Sequence, residues 1–302
     1  MNVVTGAFSY TGKYIARRLL ATGERVVTLT GRSNRENPFG SKVSASPFNF
    51  DNPSQLTKSL QGATTLYNTY WVRFSHTRVT FDMAVENTET LIKAAEEAGV
   101  RRIVHISITN PSEESPFPYF RGKALVGKAI THSKLSYAII RPTVIFGAEA
   151  VLINNITWLL RKFPIFAIFG SGHYRIQPVF VEDVAEIAVS AGQRDDNVVM
   201  DAAGPEIFTF DELVRLIANK IHSRAKVIHV RAMLALFLAR LIGCVVKDKD
   251  MVITKDEIKG LMSNLLVSEG PSIGQTRLSE WLEENADRVG TRYISDLERH
   301  YR

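Results

Sequence analysis

A tyrosine and a lysine four residues apart are the side chains in this chain best suited to acid–base chemistry. Tyr119 and Lys123 form its only Tyr-x-x-x-Lys pair, and this spacing places both side chains on one face of a helix. A phenol, with a reference pKa of about 10, works near neutral pH only if a neighbouring cation stabilises its phenolate. Ser107 or Thr109, after the preceding strand, would hold a substrate oxygen. The alternative is that Tyr119 and Lys123 are ordinary surface residues of a helix.

A strand–turn–helix pattern at the N-terminus indicates a phosphate-binding turn. Its spacing is Gly-x-x-Ser-x-x-Gly, with Gly6 allowing a tight turn and Gly12 allowing the helix to pack closely on the sheet. Backbone N–H groups and the helix dipole would then hold a pyrophosphate at the helix N-terminus. Ser9 stands where a middle glycine is usual. We expect its hydroxyl to donate to a phosphate oxygen instead.

Residues between the second predicted strand and the next helix bear on which dinucleotide would bind. Arg32 and Arg35 follow the second strand, where an NAD-binding domain often has a carboxylate. A guanidinium pairs with a 2′-phosphate, so NADP(H) is favoured over NAD(H); the alternative for Arg32 is a solvated surface arginine. Asp51 would accept from the adenine amino group. It would equally serve as the N-cap of a helix over Pro53–Leu60, and both roles are compatible.

Predicted strands and helices alternate over the first two hundred residues, and they would position the residues described above. Strands are predicted at Asn2–Thr5, Arg25–Thr30, Thr65–Asn68, Arg102–Ser107, Tyr137–Arg141 and Val198–Asp201. Helices are predicted near Gly12–Thr22, Pro53–Leu60, Phe81–Ala98, Gly122–His132 and Glu182–Ala191. Continuous apolar strands are typical of parallel sheets buried on both faces. The alternation therefore predicts an α/β fold with a doubly wound parallel sheet.

The pattern changes after residue 204, which suggests a second domain. Thr209 and Glu212 form a capping box, and helical patterns follow to the end of the chain. We predict a dinucleotide-binding domain at 1–147 plus about 177–203. A smaller, mostly helical substrate or lid domain would comprise 148–176 plus about 204–302 and close over the carboxyl edge of the sheet.

Composition narrows the class of protein. The 302 residues are 45% hydrophobic with a net charge of +6, and the basic residues form no run, so nucleic-acid binding is not expected. The seven histidines are dispersed without metal-ligand spacing, so no metal is expected. A single cysteine, Cys244, indicates a reducing compartment. No signal peptide is expected, since the first residues already form a strand; we predict a cytoplasmic monomer or homodimer.

The most apolar segment is Ala232–Val246, which Arg240 interrupts. It is shorter than the roughly 20 residues that span a bilayer, so no transmembrane segment is predicted. We expect a buried or half-buried helix. The alternative is a peripheral or partner-docking helix.

These features together resemble the short-chain dehydrogenase/reductase superfamily. The matching features, in chain order, are the glycine turn, Ser107, Tyr119 with Lys123, the segment Arg141–Gly147 and the segment Gln177–Ala185. The closest likeness is to its extended and atypical branches: nucleotide-sugar epimerase-like proteins, NmrA-like proteins and relatives of the accessory subunit of respiratory complex I. The resemblance implies an NAD(P)-binding Rossmann fold and does not specify a reaction.

The resemblance also implies roles for individual residues. Around the pyrophosphate it places Gly6, Phe8, Ser9, Tyr10, Thr11 and Gly12. Arg32, with Arg35 nearby, would meet the adenosine ribose or its phosphate, and Asp51 the adenine. Tyr119 and Lys123 would hold the nicotinamide ribose and supply the proton, and Asn87 would tie backbone across the sheet. Behind the carboxamide it places Pro142, Thr143 and Val144.

One departure concerns the residues at the end of the strand predicted at Thr65–Asn68 and just after it. Here the superfamily usually has small side chains beside the cofactor. Here Asn68, Thr69 and Tyr70 would contact the cofactor, and Trp71 and nearby aromatics follow. These bulky rings would form a substrate-stacking wall, occupy the substrate space, or simply pack in the core.

Two functions remain open. The first is an NADP(H)-dependent oxidoreductase acting on a carbonyl or alcohol of a small, apolar substrate. Tyr119 would be the general acid or base, and Lys123 would lower the pKa of Tyr119. Ser107 or Thr109 would polarise the carbonyl. Epimerase- or dehydratase-like chemistry is a variant. The second is a non-catalytic NAD(P)H-binding redox sensor or accessory protein of a membrane complex. The Tyr119/Lys123 pair favours the enzyme, and the aromatic segment favours the accessory protein.

Overall fold

The computed structural model describes residues 1–31, 36–75, 79–230 and 255–295. The chain forms two compact units. The first comprises Met1–Pro142 and Val181–Ala202, and the second Thr143–Phe180 and Ala203–Arg302. The glycine turn and the Tyr119/Lys123 pair both belong to the first unit.

A seven-stranded, wholly parallel sheet forms the centre of the first unit. Its strands, numbered in chain order, are β1 (Asn2–Thr5), β2 (Val26–Thr30), β3 (Val43–Pro47), β4 (Thr65–Asn68), β5 (Arg102–Ile106), β6 (Ser136–Pro142) and β11 (Val198–Ala202). Their spatial order is β11-β6-β5-β4-β1-β2-β3. The order reverses between β1 and β4, and ligands of such sheets bind outside the carboxyl ends of the strands at this point. We call the space beyond the ends of β1 and β4 the switch crevice.

Five helices cover the two faces of this sheet. They are α1 (Tyr10–Ala21), α2 (Pro53–Leu60), α3 (Phe81–Glu97), α4 (Pro118–Thr131) and α6 (Val181–Gly192). Helices α2, α3 and α4 pack on one face, where Leu66, Ile103 and Ile139 of the sheet meet Leu91 and Val126. Helices α1 and α6 contact each other on the opposite face. The predicted doubly wound parallel sheet is therefore confirmed.

In the part of the second unit that the structure describes, helices are combined with three two-stranded sheets. Its elements are β7 (Val144–Phe146), α5 (Val151–Lys162), β8 (Ile165–Phe169), β9 (Arg175–Ile176), β10 (Pro178–Phe180), β12 (Phe208–Thr209), α7 (Phe210–Lys220), β13 (Lys226–Val230), α8 (Lys255–Met262) and α9 (Leu278–Asn285). Its core includes Phe146, Phe210 and Trp281. The capping box at the start of α7 forms as predicted, because Thr209 accepts from Glu212 N and Glu212 accepts from Thr209 N.

Several elements differ from the sequence prediction. Strand β3 is additional, as are the short strands of the second unit. Helix α4 begins at Pro118 rather than Gly122, since proline suits the first position of a helix. The segment Ala232–Val246 and Cys244 lie outside the described residues. Among the residues that are described, no helix is both long and apolar enough to cross a membrane.

Candidate dinucleotide site

The turn between β1 and α1 is shaped by its two predicted glycines. Gly6 has a φ of +66°, a conformation that L side chains rarely adopt. A Cβ on Gly12 would lie 2.3 Å from the Gly6 carbonyl oxygen, so only glycine lets the helix approach the strand this closely. Gly6 N donates to Leu29 O at 2.8 Å, and Ala7 N donates to Thr28 Oγ1 at 2.9 Å. The backbone of the turn is thus held to β2.

The first turn of α1 presents the features of an anion site. Ser9 is the N-cap, and its side chain makes no capping hydrogen bond. Phe8, Ser9, Tyr10 and Thr11 are half-buried, so this stretch is reachable from solvent. N–H groups of a first turn lack intrahelical acceptors and, with the helix dipole, favour a phosphate. The start of α1, which Gly12 lets pack closely against β1, therefore fits a dinucleotide pyrophosphate.

Hydrogen bonds join the ends of β1 and β4 across the switch crevice. The Thr5 hydroxyl accepts from Thr69 N at 2.7 Å and from Tyr70 N at 2.9 Å. Thr69 Oγ1 donates to Thr5 O at 2.5 Å. Asn68 is fully buried, and its Oδ1 accepts from Tyr70 N at 3.0 Å. Of the three predicted cofactor contacts here, Asn68 and Thr69 thus serve to position the crevice backbone.

Three aromatic rings cluster at the ends of β3 and β4. Phe48 and Phe50 stack with centroids 4.8 Å apart, and the Tyr70 ring lies 5.0 Å from each. Asn87 Nδ2 donates to the Tyr70 hydroxyl at 2.8 Å, so Asn87 binds a side chain rather than the backbone that we expected. Burial of the Tyr70 phenol raises its pKa. This cluster offers apolar ring surface where the adenine end of a dinucleotide is expected.

The charged residues predicted around the adenosine are placed as follows. Asp51 is exposed, next to the N-terminus of α2. The N-cap of α2 is Asn52, which accepts from Gln55 N at 3.2 Å, so the capping role considered for Asp51 is wrong. Arg32 and Arg35 lie outside the described residues.

Lys123 is buried between the sheet and an indole ring. Its side chain is 3% exposed, and Nζ donates to Ile106 O at 2.8 Å. The same nitrogen lies 4.5 Å from the centroid of the Trp71 ring, a cation–π contact. Removal from water lowers the pKa of Lys123 to about 7, because burial disfavours the ammonium.

Aromatic side chains also enclose Tyr119. The Trp71 and Phe81 ring centroids lie 6.0 and 5.9 Å from that of Tyr119, both edge to face. A Cβ on Gly122 would come within 2.9 Å of the Trp71 ring. Trp71 therefore fills the space between α3 and the start of α4. We call Trp71, Phe81, Tyr119 and Lys123 the aromatic corner.

The two predicted carbonyl-polarising residues follow β5. Ser107 is 7% exposed, and Ser107 N donates to Ile140 O at 2.7 Å. Thr109 is fully buried, and its hydroxyl donates to a carboxylate oxygen of Asp201 at 3.3 Å. Asp201, on β11, was not identified from the sequence. Because the Thr109 hydroxyl donates its proton to Asp201, that proton is already used in a hydrogen bond at the edge of the sheet.

The remaining predicted cofactor residues lie at the end of β6 and directly after it. Pro142 ends β6, and its carbonyl accepts from Thr109 N at 3.0 Å. In the second unit, Thr143 is buried and Val144 N donates to Gln177 O at 3.2 Å. Within the described ranges, no group of three or more His, Cys, Asp or Glu side chains is arranged to hold a metal ion.

Comparison with known proteins places these features in a family context. Residues 6–152 match the profile of a family described as NAD(P)H-binding. The relative from Arabidopsis thaliana, named NADH dehydrogenase [ubiquinone] 1 alpha subcomplex subunit 9, mitochondrial, is 24% identical over 88% of this chain and 70% of its own length. Proteins of the same name are 27% identical in Dictyostelium discoideum (72% of this chain, 62% of the relative) and 33% identical in Mus musculus (47% and 38%).

Solved structures share the fold across nearly the whole chain. Citrobacter sp. triphenylmethane reductase complexed with NADP(H) has a TM-score of 0.75 at 18% identity, covering 94% of this chain and 99% of its own. A nucleoside-diphosphate-sugar epimerase from Staphylococcus aureus also has a TM-score of 0.75, at 15% identity, covering 93% and 99%. The predicted Rossmann fold is therefore confirmed, and the resemblance to NAD(P)H-binding proteins is confirmed over residues 6–152.

Proposed function

We propose that this protein holds NAD(P)H as a lasting ligand without turning it over, and that it serves as an accessory protein of a membrane-bound respiratory complex. The observation that carries the proposal is the position of Lys123. Its ammonium is bonded to Ile106 O and covered by Trp71, in a side chain that is 3% exposed.

Dinucleotide binding is supported by the turn between β1 and α1. Gly12 lets α1 begin close to the end of β1, and the residues of its first turn are half-buried rather than buried, so a phosphate would reach their N–H groups. Phe48, Phe50 and Tyr70 would contact the adenine. A preference for NADP(H) rests on Arg32 and Arg35 in the sequence, and it is part of the proposal.

The absence of turnover is argued from the aromatic corner. Tyrosine-dependent hydride transfer needs a charged lysine that stabilises the phenolate and reaches the ligand ribose. Lys123 has a pKa lowered to about 7, and Ile106 O already accepts one of its hydrogen bonds. The Trp71 ring lies 4.5 Å from the same nitrogen. Lys123 in this arrangement supports the packing of α4 rather than proton transfer.

The accessory role is supported by the relatives, each named as a subunit of an NADH dehydrogenase [ubiquinone]. We therefore propose such a complex as the partner. The relatives are described as mitochondrial, and the cytoplasmic location that we predicted stays a prediction.

The second candidate is the oxidoreductase predicted first. It is favoured by the retained pair of Tyr119 and Lys123 within α4, next to Ser107 after β5. In that case Trp71 would form one wall of an apolar substrate pocket, and reduced cofactor would be consumed.

Titration of the purified protein with NADPH, NADP⁺, NADH and NAD⁺, followed by fluorescence, tests the binding. We expect NADPH to bind most tightly and Arg32→Ala to weaken NADPH about tenfold or more, with little effect on NADH. Arg101→Ala is the matched control, since Arg101, which precedes β5, is exposed and forms a surface ion pair with Asp195. If none of the four dinucleotides binds, the proposed function is wrong.

A further inference from the structure

His105 is a fully buried polar residue on β5 that the proposed binding site does not yet explain. Its neighbours on the strand, Ile103 and Val104, are apolar and fully buried. The imidazole contacts Asn68 across the sheet, with Asn68 Nδ2 and His105 Nδ1 3.1 Å apart. Asn68 in turn meets Thr5 and the backbone of Tyr70. A continuous polar network thus leads from His105 to the switch crevice.

The donors and acceptors in this network are determined by two backbone N–H groups. Tyr70 N lies 3.0 Å from one of the two polar atoms of the Asn68 amide, and since an N–H needs an acceptor, that atom is Oδ1. Thr5 Oγ1 accepts from Thr69 N and Tyr70 N, and the nearer acceptor for its own proton is Asn68 Oδ1 at 3.1 Å rather than Tyr67 O at 3.5 Å. Asn68 Nδ2 therefore faces His105, and His105 Nδ1 must be the acceptor. The neutral imidazole carries its proton on Nε2.

This arrangement costs stability. His105 Nε2 is buried and has no hydrogen-bond partner among the residues that the structure describes, and an unpaired buried N–H lowers stability. Burial, followed by the nearby charge of Lys123, lowers the pKa of His105 well below its usual value, so the ring stays neutral. An apolar side chain would suit the core better. What the imidazole supplies is an acceptor for Asn68 Nδ2, which adds to the Tyr70 N contact on the oxygen side in favouring one of the two orientations of the amide.

We propose that His105 is a positioning residue for dinucleotide binding, which acts by orienting the Asn68 amide that holds the backbone of Thr69 and Tyr70 at the switch crevice. The inference rests on the proposed function. If the Asn68 amide turned over, Nδ2 would face Tyr70 N, and two donors would oppose each other. The Asn68 contact with Tyr70 N would then be lost, and Thr5 alone would hold the backbone of Thr69 and Tyr70 at the point of the sheet where the ligand binds.

Three variants test the role of His105. His105→Leu removes the acceptor, whereas His105→Asn places an oxygen near the position of Nδ1. Thr88→Val is the matched control, because Thr88 is equally buried and bonds only within its own helix, to Ala84 O. We expect His105→Leu to bind NADPH roughly five- to tenfold more weakly. We expect His105→Asn and Thr88→Val to stay within about twofold of the wild type.

The outcomes separate this inference from the proposed function. If the wild-type protein does not bind NADPH, both are wrong. If it binds and folded His105→Leu binds equally well, or His105→Asn loses affinity to the same extent, only the inference is wrong. Nitrogen NMR of the wild-type protein provides a test that needs no variant. We expect a neutral His105 with its proton on Nε2, and a proton on Nδ1 would overturn the proposal.

Discussion

The turn between β1 and α1 and the aromatic corner around Lys123 lie in the same unit, and they use space in opposite ways. In the turn, Gly12 lets the backbone of α1 approach Gly6 so closely that an added Cβ would lie 2.3 Å from the Gly6 carbonyl oxygen. In the corner, Trp71 packs against Gly122 and covers the Lys123 ammonium. The first arrangement suits a phosphate. In the second, aromatic rings pack against Tyr119 and Lys123, the side chains that proton transfer would require.

This difference teaches that binding and turnover depend on separate parts of the fold. Pyrophosphate binding uses backbone N–H groups, which the helix start provides whatever the nearby side chains do. Proton transfer needs particular side chains in reach of the ligand and correctly charged. One region can therefore keep its function while the other becomes part of the core.

The largest effect is expected from Gly12→Ala in the turn. The new Cβ would lie 2.3 Å from Gly6 O, so the helix must move away from the strand. We expect a loss of about 3 kcal/mol in the free energy of unfolding and an affinity for NADPH at least about a hundredfold weaker. Denaturant unfolding and fluorescence titration measure the two quantities.

Gly127→Ala in α4 is the control for this variant, since its Cβ would come no closer than 3.9 Å to Ile139. It should leave NADPH binding unchanged and raise the free energy of unfolding by about 0.5–1 kcal/mol. Unchanged binding in Gly12→Ala would contradict the assignment of the turn.

An intermediate effect is expected from Lys123→Met in the corner. The pKa of Lys123 is about 7 in the folded protein and about 10.4 in an unfolded chain. Between these values the unfolded chain binds the extra proton, so wild-type stability rises with pH by up to about 1.4 kcal/mol per unit. The free energy of unfolding of Lys123→Met lacks this rise with pH. The variant should therefore be most stable relative to the wild type at pH 7 and below. Unfolding of both proteins between pH 6 and 10 measures it.

Lys128→Met provides the comparison on the same helix, because Lys128 is exposed and pairs with Glu113. It should follow the pH dependence of the wild type. Parallel curves for Lys123→Met and the wild type would mean that Lys123 is solvated and charged, as an enzyme would require.

The smallest effect is expected from Tyr119→Phe. The substitution keeps the ring that packs against Trp71 and Phe81 and removes only the hydroxyl. We expect the dissociation constant for NADPH to stay within about twofold of the wild type, as for Tyr137→Phe at the start of β6. A loss of about tenfold, measured by the same titration, would place the hydroxyl on the ligand ribose.

Features set by local sequence could be predicted, and those set by packing between distant segments could not. The glycine spacing and the capping box at Thr209 follow from backbone requirements over a few residues, and both form. Strand β3 was missed because Val-Ser-Ala-Ser-Pro is an edge strand with mostly exposed side chains and no apolar run. Lys123 was correctly placed on a helix, but its cover by Trp71 depends on how two helices and a loop meet.

The Asn68–His105 contact shows the same limit. A single histidine in an apolar strand predicts neither its partner nor its tautomer, since both depend on strand pairing. Asp201 was missed for a similar reason, because only the pairing of β11 with β6 brings it near Thr109.

The most direct test of the central claim is the fate of bound NADPH. The purified protein would be loaded with NADPH and mixed with a quinone, an aromatic ketone or an aldehyde, and cofactor absorbance would be followed. We predict that the cofactor stays reduced and that Tyr119→Phe behaves like the wild type. Oxidation over several turnovers that Tyr119→Phe abolishes would contradict the account and establish the protein as an oxidoreductase.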